Sequence, residues 1–278
     1  MSPQDYCTQK AAKSGSSFYY SFLFLDHSRR EAIIALYAFC REVDDIVDGS
    51  TNTDVAKVKL TWWQKELERI WDGNPQHPVA RALAVSVERY GLEKKYFDLI
   101  IEGMMMDLIQ TRYATFEDLK SYCYRVASAV GILSARIFGF KHKDTLIFAE
   151  KLGLALQITN ILRDIKEDYD RDRIYLPLST LENANINPSD LLTYIGTQKY
   201  DYMVREQAQL ANGLYESAIA NLPEDDRAAQ RAGLIMCEIY RKILSRISDA
   251  PSKAFNKRQS LAPIHKLWIA FRVWSRES

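Results

Sequence analysis

Two segments of this chain set carboxylates at helical spacing inside otherwise apolar runs, and they constrain the fold more than any other feature. The first reads Ala32-Ile-Ile-Ala-Leu-Tyr-Ala-Phe-Cys-Arg-Glu-Val-Asp-Asp-Ile-Val-Asp48. At about 100° per residue, Tyr37, Arg41, Asp44 and Asp48 fall within an arc of roughly 60°. The second reads Leu152-Gly-Leu-Ala-Leu-Gln-Ile-Thr-Asn-Ile-Leu-Arg-Asp-Ile-Lys-Glu-Asp168. There Gln157, Asn160, Asp164 and Asp168 share an arc of about 80°. A helix that is apolar nearly all round belongs inside a protein, so each stripe must face something polar. Carboxylates four residues apart repel by roughly 0.2–0.5 kcal/mol even when exposed, and by more when buried. One such stripe reads most simply as a solvated face paired with Lys or Arg. Two of them, each flanked by oxygen-bearing side chains, ask for a compensating cation.

The rest of the chain also reads as helix. Segments at roughly 28–49, 53–72, 78–90, 94–111, 116–138, 143–168, 198–221, 224–248 and 260–275 keep a helical period. Stop signals separate them, such as Asp72-Gly-Asn-Pro75, Tyr90-Gly91 and Gly139. Thr115-Phe-Glu-Asp118 has capping-box spacing. The one long break runs from Tyr169 to about Pro188, and no strand-like alternation persists. With no internal repeat and no shift in composition, the expectation is all-α, a single domain over residues 1–278.

Composition excludes several classes. Lys+Arg 37 against Asp+Glu 36 leaves no basic excess to neutralise a nucleic acid. Apolar stretches such as Val126 to Ala135 fall short of the ~20 residues of a spanning helix. The opening Met-Ser-Pro-Gln-Asp lacks the pattern of a signal peptide, so a cytoplasmic location is expected. Cys7, Cys40, Cys123 and Cys237 lie far apart, as do the four histidines. Neither a zinc site nor a disulfide framework is expected. Every candidate ligand in the stripes is oxygen, which selects a hard divalent ion, and Mg²⁺ with retained waters suits one or two carboxylates plus a phosphate. A calcium loop starting at Asp168, Asp170 and Asp172 is excluded, because Arg173 stands where its glycine belongs and Ser179 where its terminal Glu belongs.

Asp44-Asp-Ile-Val-Asp48 and Asn160-Ile-Leu-Arg-Asp-Ile-Lys-Glu-Asp168, the latter with Gln157, resemble the two aspartate-rich motifs of the squalene/phytoene synthase family. The resemblance extends along nearly the whole chain, through Ser14-Gly-Ser-Ser-Phe18, Tyr37-Ala-Phe-Cys-Arg41, Tyr122-Cys-Tyr-Arg-Val126 and Arg173-Ile-Tyr-Leu-Pro177. Within the family, the opening Tyr6 to Leu25 and the ending Lys266 to Trp274 look most like the presqualene diphosphate synthases of bacterial hopanoid pathways.

The resemblance implies an isoprenoid-synthase-type helical bundle around a central cavity, and head-to-head joining of two prenyl diphosphates. It implies two or three Mg²⁺ ions on Asp44, Asp48, Asn160 and Asp164, with Asp168 completing the second motif. Asp44, Asp48, Asp164, Asp168, Tyr37 and Arg41 become the catalytic set. Substrate contacts fall to Ser14, Gly15, Ser16, Ser17, Phe18, Tyr37, Arg41, Tyr122, Gln157, Arg163 and Tyr240. Metal ions neutralise the charge that develops on a departing diphosphate, and arginines suit bidentate contact with phosphate. Met104-Met-Met-Asp107 resembles a carboxylate-tipped run beside the cavity.

The expected substrate is farnesyl diphosphate and the expected product presqualene diphosphate, passed to downstream squalene-forming enzymes. NADPH is not expected. Phytoene, dehydrosqualene and squalene synthesis are alternatives within the family. A head-to-tail prenyltransferase is disfavoured because Ile165, not a second Asp, follows Asp164. From another class stands a non-catalytic helical prenyl-lipid-binding module. Ala127, Gly131 and Ser134 thin one helix face, for a prenyl chain or for a neighbouring helix. Arg171 and Arg173 either form a cationic lid over diphosphate or merely offset Asp168, Asp170 and Asp172. Leu267 to Trp274 either contacts a membrane peripherally, at the inner membrane, or docks on the core.

Overall fold

The computed structural model describes residues 1–13, 18–22 and 24–277. Among them the regular structure is helical, with one isolated bridge between Arg112 and Ile174. Six helices precede the Tyr122–Val126 segment: α1 (Pro3–Lys13), α2 (Phe18–Phe22), α3 (His27–Asp48), α4 (Thr53–Trp71), α5 (Pro78–Tyr90) and α6 (Lys94–Met106). Next come α7 (Phe116–Cys123), a π-helical turn over Tyr124–Ser128, α8 (Ala129–Phe138) and α9 (Asp144–Asp170). The remainder is α10 (Leu178–Asn183), a 3-10 segment at Pro188–Tyr194, α11 (Gln198–Ala220), α12 (Glu224–Arg227), α13 (Arg231–Asp249), α14 (Pro251–Asn256) and α15 (Pro263–Arg276). The all-α expectation holds.

Local chemistry sets the ends of these helices. The Asp26 carboxylate accepts from the Arg29 N–H to start α3, and Thr115 with Asp118 forms the expected capping box of α7. Gly91 ends α5 with φ +60°, a conformation that costs glycine little. Three boundaries differ from expectation. The run at 94–111 stops as helix at Met106, and the run at 224–248 breaks between α12 and α13. The long break after α9 holds α10. Helix α1 has no counterpart among the expected segments, because its buried face consists of only Cys7 and Ala11.

Two apolar clusters make the core. One gathers α9, α11 and α13 with Ile269, Ala270 and Val273 of α15; the other gathers α1, α3 to α6 and α8. Helix α9 lies between α8 and α11 and against α13. Its contact with α8 is backbone to backbone. A Cβ on Gly131 would sit 2.5 Å from the Ala149 carbonyl oxygen, and one on Gly153 would sit 2.7 Å from that of Ala127.

By length and composition α9 also meets the requirement for crossing a bilayer, which the contiguous apolar stretches did not suggest. Its most apolar window is 61% buried inside the protein, as in a core helix. The start of α9 is fixed by Asp226 of α12, a buried carboxylate that accepts from the Lys141 N–H (2.7 Å), the His142 N–H (3.0 Å) and the Thr145 hydroxyl (2.6 Å). All four cysteines are free, and Cys7, Cys123 and Cys237 are buried.

Candidate active site

The C-terminal halves of α3 and α9 face each other across a polar pocket lined by Asp44, Asp48, Asp164, Asp168, Gln157 and Asn160. Both stripes therefore lie toward the negative end of their helix dipoles, and neither helix carries a basic residue in its last turn. Cations come largely from elsewhere. Arg41, within α3, donates to Asp44 at 2.6 Å and also pairs with Asp45. Arg171 and Arg173 both reach Asp48, at 2.9 and 3.2 Å. Arg163 holds its neighbour Asp164 through two bonds of 2.8 and 2.5 Å, and Arg258 adds two more at 2.9 and 3.3 Å.

These pairs leave the site unevenly compensated. Burial, reinforced by Asp48, pushes the Asp44 carboxyl up to about 6 against the pull of Arg41. Burial and the neighbouring Asp164 push Asp168 up to about 7, only partly offset by Arg173 and Arg171. Asp164 is also pushed up by burial, but its bonds from Arg163 and Arg258 outweigh that and hold it below its ordinary value.

The donor set fits a hard cation. The Asn160 side-chain oxygen is buried and makes no hydrogen bond, while its amide nitrogen donates to Gln157 at 3.3 Å. An orphaned carbonyl oxygen beside partly compensated carboxylates is a cation ligand in waiting. Among the described residues no three His, Cys, Asp or Glu side chains converge closely enough to hold a metal by themselves. An ion here would take water and substrate oxygens as well, the habit of Mg²⁺.

Beside the polar pocket lies an apolar cavity. Cys40, Val126, Gln157 and Asn160 line both. Its walls come from Ile33 and Leu36 of α3, Leu152 and Leu156 of α9, Met236 of α13, and the strip Ala127, Gly131, Ser134. That strip lines the cavity, and Gly131 also admits the α9 backbone. The π-helical turn places Val126 and Ala127 on this wall, and π-turns inside helices commonly mark functional positions. At one margin of the cavity Gln230 donates to the Ala135 and Gly139 carbonyls at 3.1 and 2.8 Å.

The other expected residues fall as follows. Tyr37 lines the apolar cavity rather than the polar pocket. Tyr122 is buried at the polar pocket and donates to Asp107 at 2.9 Å, and Tyr175 donates to the same carboxylate at 2.7 Å. Burial pushes Asp107 up to about 6 although both hydroxyls and Arg173 pull it down. The rings of Tyr113, Tyr122 and Tyr175 pack together, with centroids 5.3–6.0 Å apart. Arg163 does line the polar pocket, and Tyr240, buried, is its neighbour. Phe18 opens α2, whereas Ser14, Gly15, Ser16 and Ser17 lie outside the described residues.

Of the acids in their own segment, Arg171 and Arg173 partly offset Asp168 but pair with neither Asp170 nor Asp172. Asp170 pairs with Lys166 and Asp172 with Arg112, which frees both arginines for Asp48 across the pocket. Arg258 was not among the expected residues. It bonds Asp164 across 94 positions of sequence, and its neighbours carry no periodic signal that would single it out.

Residues 11–267 match the family profile described as squalene/phytoene synthase. The chain is 36% identical to the 15-cis-phytoene synthase of Synechococcus elongatus, over 94% of this chain and 89% of that one. It is 33% identical to the 15-cis-phytoene synthase of a Synechocystis species, over 97% and 84%. Among solved structures it resembles a dehydrosqualene synthase in complex with a ligand, with 28% identity, a TM-score of 0.86 and coverage of 99% and 96%. It also resembles the squalene synthase HpnC of Alicyclobacillus acidocaldarius, with 26% identity, a TM-score of 0.80 and coverage of 89% and 93%. The fold, the paired acidic helices and these likenesses agree: the chain belongs to the squalene/phytoene synthase family, a family of prenyltransferase-type enzymes.

Proposed function

We propose that this protein condenses two farnesyl diphosphates head to head into presqualene diphosphate, with release of one diphosphate and dependence on Mg²⁺. The observation that carries the reading is the junction of a charged pocket with an apolar cavity through four shared residues. A ligand with an anionic head and a long apolar tail matches that pair of environments. The Mg²⁺ ions would be held by Asp44, Asp48, Asn160 and Asp164 and would supply charge neutralisation of the departing diphosphate.

Arg41, Arg163, Arg171, Arg173 and Arg258 are already aimed at the same volume and can transfer donors from carboxylate to phosphate oxygens. When the C1–O bond of one substrate breaks, its electrons leave with diphosphate. The C2=C3 bond of the second substrate then attacks C1, and loss of one proton closes the cyclopropane. The apolar walls keep water from the allylic cation.

Cavity length supports a fifteen-carbon tail. Its lining on α9 spans Asn160, shared with the charged pocket, to Phe148, about 18 Å of helix axis. A farnesyl tail is about 15 Å long at roughly 5 Å per isoprene unit, whereas a geranylgeranyl tail of about 20 Å has to fold back. A second reading, phytoene synthesis from the twenty-carbon substrate, is favoured by the names of the relatives above.

Incubation with farnesyl diphosphate and Mg²⁺, without NADPH, tests the proposal when lipids are analysed before and after phosphatase treatment. The expected product is a C30 cyclopropylcarbinyl diphosphate that disappears on chelation of the metal. Phytoene from geranylgeranyl diphosphate, with no turnover of farnesyl diphosphate, would replace the first reading by the second. Inertness of the folded protein toward both would leave a binding module.

A further inference from the structure

The outer face of α15 belongs neither to the core nor to the site. Ile264, Leu267, Trp268 and Phe271 fall within an arc of about 100°. All four are solvent-exposed, Trp268 and Phe271 at 59% each, while Ile269, Ala270 and Val273 on the opposite side are buried. Of the two expectations for this segment, docking on the core holds, and the helix also presents a wet apolar stripe. Aromatic side chains so placed cost the free protein solubility and ask for a cover.

Charge narrows what the cover is. From Ala250 to Arg276 the chain carries six Lys and Arg residues and no Asp or Glu, although the whole chain has a net charge of +1. Arg272 borders the stripe, with its guanidinium over the Trp268 ring at 4.9 Å and paired with Glu238 of α13 at 2.9 Å. Lys253 and Lys257, on the segment leading into α15, are exposed. With Glu238 of α13 already taken up by Arg272 and Arg276, a second copy meeting this face about a two-fold axis would bring two such lysine-bearing segments together. An anionic lipid surface instead neutralises them, and tryptophan beside cationic side chains is the composition of an interfacial helix.

Position adds a reason. Helix α15 packs on α2, Phe24 stacks on Trp274 at 5.9 Å, and Ser21 and Phe22 of α2 line the apolar cavity. The stripe therefore lies one short helix away from a wall of the tail cavity. We infer that the Ile264–Leu267–Trp268–Phe271 face docks this protein peripherally on an anionic bilayer, with the two aromatic rings at the headgroup–acyl boundary. Vesicle binding requires no turnover, so this inference and the proposed reaction stand or fall separately.

The test is cosedimentation of the full chain with phosphatidylglycerol-containing vesicles and with pure phosphatidylcholine vesicles. Binding to the anionic vesicles is expected to be at least tenfold tighter and to weaken as salt is raised. The Trp268→Glu/Phe271→Glu double substitution is expected to reduce it at least tenfold with an unchanged far-UV spectrum. The mild variant Trp268→Phe should keep binding but lose part of the fluorescence quenching produced by brominated acyl chains. Absence of binding to anionic vesicles, binding indifferent to the double substitution, or quenching unchanged in Trp268→Phe would each overturn the inference. A lipid-free dimer abolished by the double substitution would overturn it too, and assign the face to a second copy.

Discussion

The two ends of α9 receive the same chemical group and treat it in opposite ways. At the start, the Asp226 carboxylate meets two backbone N–H groups and a hydroxyl at the positive end of the helix dipole. Burial pushes that carboxyl up, yet its hydrogen bonds from Thr145, His142 and Lys141 win and hold it below the ordinary range. At the far end, Asp164 and Asp168 face the negative dipole end and are offset by flexible arginines rather than fixed amides. A carboxylate satisfied by backbone is architecture. One satisfied by side chains that can turn elsewhere is available to a ligand, and α3 repeats that second arrangement at Asp44 and Asp48.

The contrast can be broken most sharply at the far end. Asp164→Asn is expected to lower kcat/KM for farnesyl diphosphate about 10³-fold, roughly 4 kcal/mol of transition-state stabilisation, with little change in melting temperature. Turnover within tenfold of the parent would make this end an ordinary solvated face. At the near end, Asp226→Ala strands one buried and two half-buried donors and should cost about 3 kcal/mol. Calorimetry should register that as a fall in Tm of roughly 6–12 °C, with activity per folded molecule within twofold. An unchanged Tm would erase the distinction.

Midway along the helix, Gly153→Ala drives a Cβ to 2.7 Å from the Ala127 carbonyl oxygen. The expected destabilisation is about 1–3 kcal/mol, and urea midpoints would reveal a neutral outcome that refutes the close contact. The smallest effect concerns pH. Because the folded-state pKa of Asp226 is depressed, its contribution is fully present above the unfolded value of roughly 4 and fades as pH falls through the folded value. The stability gap between parent and Asp226→Asn should be constant from pH 5 to 7 and close toward pH 3. A gap that widened on acidification would reverse the sign of the argument.

Much of the site was legible because helical periodicity converts spacing into facing. Tyr37 to Asp48 and Gln157 to Asp168 each reduce to one arc, and an apolar helix cannot hide such an arc without a purpose. What stayed illegible depends on contacts distant in sequence. Asp226 sits in a run, Leu222-Pro-Glu-Asp-Asp226, that reads as a helix stop, and its partners lie 81–85 positions away. Arg258 is silent for the same reason. The partners of Arg171 and Arg173 could not be read locally, because four acids lie within reach in sequence and the one they choose is on α3. Helix α1 escaped notice because two small residues make its inner face.

The glycine contact between α8 and α9 has a consequence for how such a protein can diversify. Where two backbones touch, no side chain can be enlarged, so the wall built around Gly131 and Gly153 is closed to variation. On α13, the nearest neighbours of a Cβ on Gly233 would be the Phe148 and Leu152 side chains, at 3.5–3.6 Å, an ordinary distance. Bulk can be added or removed there, and at Met236 beside it, against side chains that can turn aside rather than against a backbone. Selection for longer or shorter tails, natural or in the laboratory, would therefore leave its record on α13 and almost none on the α8–α9 seam.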